Sequence, residues 1–267
     1  RGEPHVVATF VDITERKRAE LHIRQLNRTL AVLSDINQLI VREKDLAVML
    51  ESACRIAVEK GGFRMAWIGR PVPGGDGVSI AAHAGASADT LDVLHALVGD
   101  RREDCQCAFT LQALSTAGHA VCNDIATDPQ AAVWHDAALQ RGYRAMASLP
   151  LKVAGAVTGT FNLYAAEPNF FDDEELRLLD ELASDIGFAL EVHALEAERR
   201  RAEQSLRASE ERFRELAENV DEIFWITTPE KNQMHYVSPA YETVWGRTCA
   251  SLYADPRTWL EAVHTED

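Results

Sequence analysis

The stretch "AMASLPLKVAGAVTGTFNLY", residues 145–164, decides how this chain folds. Before Gly155, apolar side chains stand at every second position, and after it threonine and asparagine alternate with apolar residues. A period of two is typical of strands with one buried face, and a glycine between two such runs favours a turn. The stretch therefore predicts two antiparallel strands with one shared apolar face, formed by Ala145, Ala147, Leu149, Leu151, Val153, Val157, Phe161 and Leu163.

Upstream of this pair, the sequence predicts further strands and several short helices. Residues 63–70 and 78–84 have strand character, and the loop "PVPGGDG" between them is a hairpin signal. The predicted short helices are 89–98, 109–116 and 135–141. Together these elements predict an α+β domain over residues 43–190, in which flanking helices pack on an antiparallel sheet.

Two long helical segments, residues 14–42 and 191–220, flank this domain. Both carry apolar residues at alternating spacings of three and four, which is the pattern of a coiled-coil seam. The helix that leads into the second segment is predicted to begin after Asp172, which can cap it, with Glu175 placed for a capping box. We expect the two segments to be coiled-coil-like linkers that form a homodimer. The predicted dimer seam comprises Ile23, Leu26, Leu30, Leu33, Asn37, Ile40, Val192, Leu195, Leu206 and Phe213.

Charge balance and the length of the apolar runs exclude some classes of partner. The chain has 42 acidic and 27 basic residues and a formal net charge of -15. Such a field repels nucleic acids and anionic membranes, which proteins bind through clustered Lys and Arg. No apolar run approaches the roughly 18 residues that a bilayer span needs. We therefore predict a cytoplasmic segment without nucleic-acid or membrane contact, and the odd count of five cysteines fits a reducing compartment.

Residues 121–190, which contain the opening stretch, resemble the second half of a GAF domain. The resemblance depends on the order of several short motifs, each of which is weak alone. The motifs are Asn123-Asp124-Ile125, Asp128-Pro129, Gly142-Tyr143-Arg144, Leu149-Pro150-Leu151, the glycines Gly155 and Gly159, and Phe171-Asp172. The resemblance implies a helix-covered antiparallel sheet that binds a small molecule or relays a signal.

Both ends of the chain resemble parts of PAS domains. The run "ATFVDITERKRAE", residues 8–20, is similar to a last PAS strand that leaves into a signalling helix, so residues 1–13 are interpreted as a PAS end. Residues 221–267, preceded by "SEERFRELAENV", resemble the start of a second PAS domain. This order implies the sensory and signal-relay region of a bacterial multidomain protein, foremost a sensor histidine kinase. A diguanylate cyclase or phosphodiesterase is the alternative.

Five residues form the candidate ligand pocket of the GAF-like domain. Trp67, Trp134 and Tyr143 are aromatic side chains with a polar group, and Asp124 and Asn162 could orient a small molecule. Aromatic residues serve protein cores equally well, and the two polar residues could instead cap a turn or face water. The sequence leaves both readings open.

The family's known cofactors have sequence requirements that this chain does not meet. Bilin-binding GAF domains carry a Cys-His pair several residues before the position of Gly142, where this chain has Val133-Trp134. Covalent bilin is therefore not expected, and the cofactor is unknown. Domains that bind cyclic nucleotides carry an Asn-Lys pair, whereas this chain has Asn162-Leu163, which disfavours that ligand.

Metal and catalytic sites are not predicted either. Cys105, Cys107 and Cys122, with His119 and His135, lack the paired spacings of zinc sites. No Ser-His-Asp set, phosphate-binding glycine loop or paired carboxylates stand out, so no catalytic residue is predicted. The free-methionine sulfoxide reductases also resemble GAF domains and use cysteine thiols, but their Gly-His-Ile-Ala-Cys-Asp string is absent. A reductase is thus the alternative from a different functional class.

Overall fold

The computed structural model describes residues 12–72, 77–86, 108–219, 221–229 and 233–259. The strand interpreted as a PAS end, the helix predicted at 89–98, and Cys105 and Cys107 lie outside these residues. Contacts divide the chain into two compact units, residues 1–194 and 195–267.

In chain order the elements are α1 (Thr14–Arg42), α2 (Leu46–Glu59), β1 (Met65–Pro71), β2 (Val78–Ala84), α3 (Ala108–Thr116), β3 (Ala120–Cys122), α4 (His135–Gln140), β4 (Ala145–Val153), β5 (Ala156–Ala165), α5 (Asp173–Glu218), β6 (Trp225–Thr227), β7 (Met234–Val237), α6 (Ala240–Trp245) and α7 (Cys249–Ala254). A single 3₁₀ turn at Pro129–Ala131 precedes α4.

The first unit contains a five-stranded antiparallel sheet in the order β2-β1-β5-β4-β3. The predicted pair of strands lies at its centre, with Leu149 opposite Phe161. The turn between them places Ala154 and Gly155 at φ values of 49° and 80°, where glycine is the favoured residue. The predicted α+β class with an antiparallel sheet and flanking helices is confirmed.

One side of this sheet, called here the first face, holds the larger core. Its strand residues are Ala66, Ile68, Ala82, Ala145, Ala147, Leu149, Leu151, Phe161, Leu163 and Ala165. Helices α1, α2 and α5 cover it, and Leu179, Leu182 and Ile186 of α5 are fully buried there. Helix α5 comes so near β4 that a Cβ on Gly187 would lie 2.5 Å from the carbonyl oxygen of Lys152. The alternation read from the sequence thus selects which side chains enter this core.

Helix α5 begins as predicted at Asp172, but the capping box is only half formed. The Asp172 carboxylate accepts hydrogen bonds from the backbone N–H groups of Glu174 and Glu175, at 3.0 and 2.8 Å. The Glu175 side chain is fully buried and does not return to the cap. It instead accepts a hydrogen bond from the hydroxyl of Thr29 on α1. Glu175 therefore joins two helices rather than closing one.

Helix α1 packs on the first face through a stripe displaced by one residue from the predicted dimer seam. Thr29, Val32 and Ile36 are fully buried, and the same stripe continues towards the N-terminus through Gln25 and His22. Within the predicted seam, Ile23 and Leu30 are 57% and 46% exposed. Leu33, Asn37 and Ile40 are half-buried, and Leu33 and Ile40 pack against the edge of the core.

The second unit has a two-stranded antiparallel sheet, β6-β7, and two short helices. Its core is small and consists of Met234, Val237, Tyr241 and Leu252. Trp225 packs against Trp245 and Trp259, with ring centroids 6.4 and 5.6 Å away.

Candidate ligand site

The opposite side of the sheet, called here the second face, brings together three of the five predicted pocket residues. Trp67, Trp134 and Tyr143 are buried in one cluster. Its other buried members are Met65, Val78, Phe109, Ala113, Ala120, Cys122, Ile125, Ala131, Ala138, Met146 and Tyr164. Strand residues form the floor, while α3, α4 and the turns around α4 form the cover.

Trp67 comes from the sheet and lies in the middle of this floor. Strand alternation sends Ala66 and Ile68 to the first face and Met65 and Trp67 to the second. Trp67 is 1% exposed, and its indole Nε1 is buried without a hydrogen-bond partner among the described residues. A buried N–H without an acceptor destabilises the folded state by about 1–3 kcal/mol.

Trp134 comes from the cover, directly before α4. Its ring meets Tyr164 edge to face, with centroids 5.9 Å apart and planes at 80°, and Tyr143 packs on the same Tyr164 at 5.1 Å. Trp134 is 8% exposed, and its Nε1 is also buried without a partner in the described part of the chain. The second face therefore holds two unpaired indole donors.

Asn162, the fourth predicted pocket residue, is fully buried on the second face and fully hydrogen-bonded. Its side-chain oxygen accepts hydrogen bonds from Thr110 Oγ1 at 3.0 Å and Ser148 Oγ at 2.7 Å. Its amide donates to Thr160 Oγ1 at 3.0 Å, and more weakly to the carbonyl oxygen of Trp67 at 3.4 Å. An amide has two acceptor and two donor positions, so these contacts use all four. Asn162 joins α3 to the sheet and has no group left for a ligand.

Asp124 lies at the rim rather than in the aromatic cluster. Its carboxylate accepts a hydrogen bond from Arg144 Nη2 at 3.0 Å, and others from Ala126 N–H and the Thr127 hydroxyl. The Arg144 hydrogen bond is the main reason that the pKa of Asp124 lies below its usual value. The carboxylate stabilises the turn that follows β3.

Sequence reasoning missed the hydroxyl groups that saturate Asn162. Ser148 and Thr160 stand at second-face positions of β4 and β5, where strand alternation alone could have placed them beside Asn162. Thr110 lies 52 residues before Asn162 on a helix, and no local pattern indicates that contact.

Cys122 also belongs to the second face, and its environment opposes thiol chemistry. Burial raises the pKa of the Cys122 thiol to about 12. Because the thiolate is the nucleophile in cysteine chemistry, this thiol is unreactive near neutral pH. Within the described ranges, no group of three or more His, Cys, Asp and Glu side chains is arranged to hold a metal ion. Nor is any helix of the described residues long and apolar enough to cross a membrane.

Comparison with known proteins places this arrangement in a family. No curated protein matches the chain. Among solved structures, free methionine-R-sulfoxide reductase from Neisseria meningitidis, in complex with its substrate, is 20% identical, with a TM-score of 0.51 over 63% of this chain and 91% of that one. The GAF domain of a phosphoenolpyruvate-protein phosphotransferase from Coxiella burnetii is 16% identical, with a TM-score of 0.49 over 65% and 97%. A domain of a putative two-component sensor histidine kinase from Sinorhizobium meliloti is 17% identical, with a TM-score of 0.47 over 59% and 99%.

At these identities the reductase structure shows a shared fold and nothing about activity. The family model gives the stronger result, because the model of the GAF domain matches residues 43–191, more than half of the 267 residues. The chain therefore belongs to the GAF domain family.

Proposed function

We propose that this chain is the sensory and signal-relay region of a bacterial multidomain signalling protein, in which the GAF domain binds a small molecule. The parent protein that we propose is a sensor histidine kinase, because the PAS-like sequences at both ends are typical of such receptors. A diguanylate cyclase or phosphodiesterase shares this organisation, and the output domain of the complete protein would distinguish the two.

The observation that supports ligand binding is the presence of two hydrogen-bond donors without partners on the second face. Both the Trp67 and Trp134 indole N–H groups are buried without an acceptor among the described residues. Buried polar groups in folded proteins are nearly always hydrogen-bonded, so an unpaired group calls for a specific explanation. A bound small molecule that supplies an acceptor explains both donors.

The experiment is a thermal-shift screen of small metabolites on the 267-residue chain, repeated with Trp134→Ala. A true ligand should raise the unfolding temperature of the wild type and lose most of its affinity for a variant that remains folded. Trp245→Ala, on the second unit, is the matched control and should keep the affinity. If no compound raises the unfolding temperature of the wild type, and Trp134→Ala simply unfolds the domain, the aromatic cluster is only part of the core. The domain is then a structural relay.

Relay through a helical dimer is the second part of the proposal. It is supported by exposed apolar side chains on the helices that flank the sheet, since exposed apolar patches mark interaction surfaces. These side chains are Ile23 and Leu30 on α1 and Phe188, Val192, Leu195, Leu206 and Phe213 on α5. Leu26, another residue of the predicted seam on α1, is only half-exposed. We propose that they associate with a second copy of the chain, and that a shift in this packing carries the signal.

Sedimentation velocity tests the dimer. The wild type should sediment as a dimer, and Leu195→Glu should shift it towards monomer because a charge cannot be buried in an apolar seam without a partner. Thr158→Glu, on β5, is the control and should leave the dimer intact. A wild-type chain that stays monomeric at high concentration contradicts the relay. Asn37 and Ser209 are polar residues at seam spacing on the two helices. Replacing both, by Asn37→Ile and Ser209→Leu, should change the output of the full receptor. If the output is unchanged, the dimer stands and the packing shift is wrong.

A further inference from the structure

We propose that the second face recognises an uncharged, largely apolar molecule that carries a hydrogen-bond acceptor, such as an aromatic carbonyl compound. The indole N–H groups of Trp67 and Trp134 are the donors that recognise this acceptor. The inference rests on the proposed function, because it names the chemical class of ligand for the same site.

The two indoles come from opposite layers and belong to one buried cluster. Across the β1–β5 pair, Met65 lies opposite Tyr164 and Trp67 lies opposite Asn162, so Trp67 is the diagonal neighbour of Tyr164 on the second face. Such neighbours lie about 7–8 Å apart, within reach of aromatic side chains. Trp134 packs on the same Tyr164 from the cover, with centroids 5.9 Å apart. A molecule between the floor and the cover at this tyrosine could meet both indoles.

The polar groups already present on this face determine what the ligand must supply. Thr110, Ser148 and Thr160 each form a hydrogen bond with Asn162, and all four side chains are buried. The indole N–H can only donate a hydrogen bond. Each of the two unpaired indoles therefore needs a partner that accepts one. The missing group is therefore an acceptor on the ligand.

The charges of the described residues around the site disfavour an anion. Glu175 is the only charged side chain that is fully buried among the described residues, and it contacts α1 beside the first face. At the rim of the second face, Asp124 and Asp128 are acidic. Arg144 pairs with Asp124 through Nη2, and its buried Nε has no partner among the described residues. A carboxylate or phosphate on this face would lose its hydration without meeting a fully buried cation among the described residues. The acceptor is thus a neutral oxygen or nitrogen.

A matched set of three probes tests the inference: acetophenone, α-methylstyrene and benzoate. The first two have nearly the same shape, but acetophenone has a carbonyl oxygen where α-methylstyrene has a methylene group. Dissociation constants are measured by NMR titration of the 267-residue chain. Acetophenone should bind about tenfold tighter than α-methylstyrene, because one net hydrogen bond contributes about that factor. Benzoate should bind more weakly than both.

The variants replace Trp67 or Trp134 with 3-benzothienylalanine, which keeps the bicyclic shape and lacks the N–H. Each should reduce the preference for acetophenone towards unity while leaving the affinity for α-methylstyrene unchanged. The same replacement at Trp245, in the second unit, is the control and should retain the preference of the wild type.

The outcomes separate this inference from the proposed function. If acetophenone and α-methylstyrene bind equally well, or the preference survives both replacements, the donors do not recognise the ligand and the inference is wrong. Tighter binding of benzoate also overturns it, although the face would still bind a ligand. If none of the three probes binds, the inference is wrong, and the proposed function then depends on whether the metabolite screen yields a ligand sensitive to Trp134→Ala.

Discussion

The two faces of the GAF sheet are built from the same strands but from different kinds of side chain. The first face takes alanine, isoleucine, leucine and phenylalanine from the strands, and all of them are buried. The second face takes methionine, cysteine, tryptophan and tyrosine besides one valine and one alanine, together with a buried asparagine and its hydroxyl partners. Two indole donors on the second face have no partner in the described residues, whereas the strand side chains of the first face have no polar groups to pair. This difference underlies the proposed function, in which the first face stabilises the domain and the second face binds a ligand.

The largest expected effect is on the first face. Phe161→Ala should lower the free energy of unfolding by about 3–5 kcal/mol, because it removes a fully buried ring and leaves a cavity. Urea denaturation followed by circular dichroism measures the loss. The control is Thr158→Ala, on the same strand but only half-buried, which should cost much less. A loss near 1 kcal/mol for Phe161→Ala would mean that the first face does not dominate stability.

The next effect concerns the paired polar groups of the second face. Asn162→Ala should lower the free energy of unfolding by about 2–4 kcal/mol, since it leaves buried hydroxyl groups without their partner. Asn27→Ala, at an exposed position of α1, is the control and should change stability by less than about 0.5 kcal/mol. If the two variants are equally stable, the Asn162 network does not hold α3 on the sheet.

A smaller effect, dependent on pH, is expected where α1 meets the start of α5. The His22 ring lies 2.9 Å from Glu174 and 3.2 Å from Asp172, and the Glu174 hydrogen bond is the main reason that the pKa of His22 is raised. Its contribution to stability is therefore full below the ordinary value of 6.5 and is lost as pH rises through the folded pKa. Burial raises the pKa of Glu175, although the hydrogen bond from Thr29 and the charges of Arg28 and His22 oppose this shift.

Hydrogen exchange of the α1 amides at pH 6 and pH 8, corrected for intrinsic rates, measures this contact. Protection around residues 22–29 should fall between the two pH values. His22→Gln should remove most of that change. His119→Gln is the matched control, because His119 forms a similar pair with Asp180, at 2.8 Å, without involving α1. An equal loss of pH dependence in both variants would show that the effect does not arise at the α1–α5 contact.

The sequence predicted the parts of this fold that depend on local periodicity. Strand alternation over residues 145–164 identified the first face, and the cap at Asp172 followed from residue type. The predicted stripe of α1 differs by one residue from the stripe that packs on the sheet. Apolar residues occupy both stripes, Ile23 and Leu30 in the predicted one and Val32 and Ile36 in the buried one. A helix with two adjacent stripes has no local signal for which one meets its own domain.

Residue type identified members of the aromatic cluster on the second face, but it did not identify their hydrogen bonds. The aromatic residues Trp67, Trp134 and Tyr143 do share one cluster, yet Asp124 and Asn162 are engaged in contacts within the protein. Whether a buried group has a partner depends on contacts between residues far apart in sequence, such as Glu175 with Thr29, 146 residues away. Sequence periodicity contains no information about such pairs.

The smallest effect on stability tests the central claim, that the second face keeps unpaired donors for a ligand. The measurement is the free energy of unfolding, without ligand, after replacement of Trp67 and Trp134 together by 3-benzothienylalanine. If both N–H groups are unpaired in the free protein, the doubly replaced chain should be as stable as the wild type or more stable, because no hydrogen bond is lost. A loss of more than about 1 kcal/mol, the net contribution of one hydrogen bond, would contradict the account, since the indoles would then already be paired.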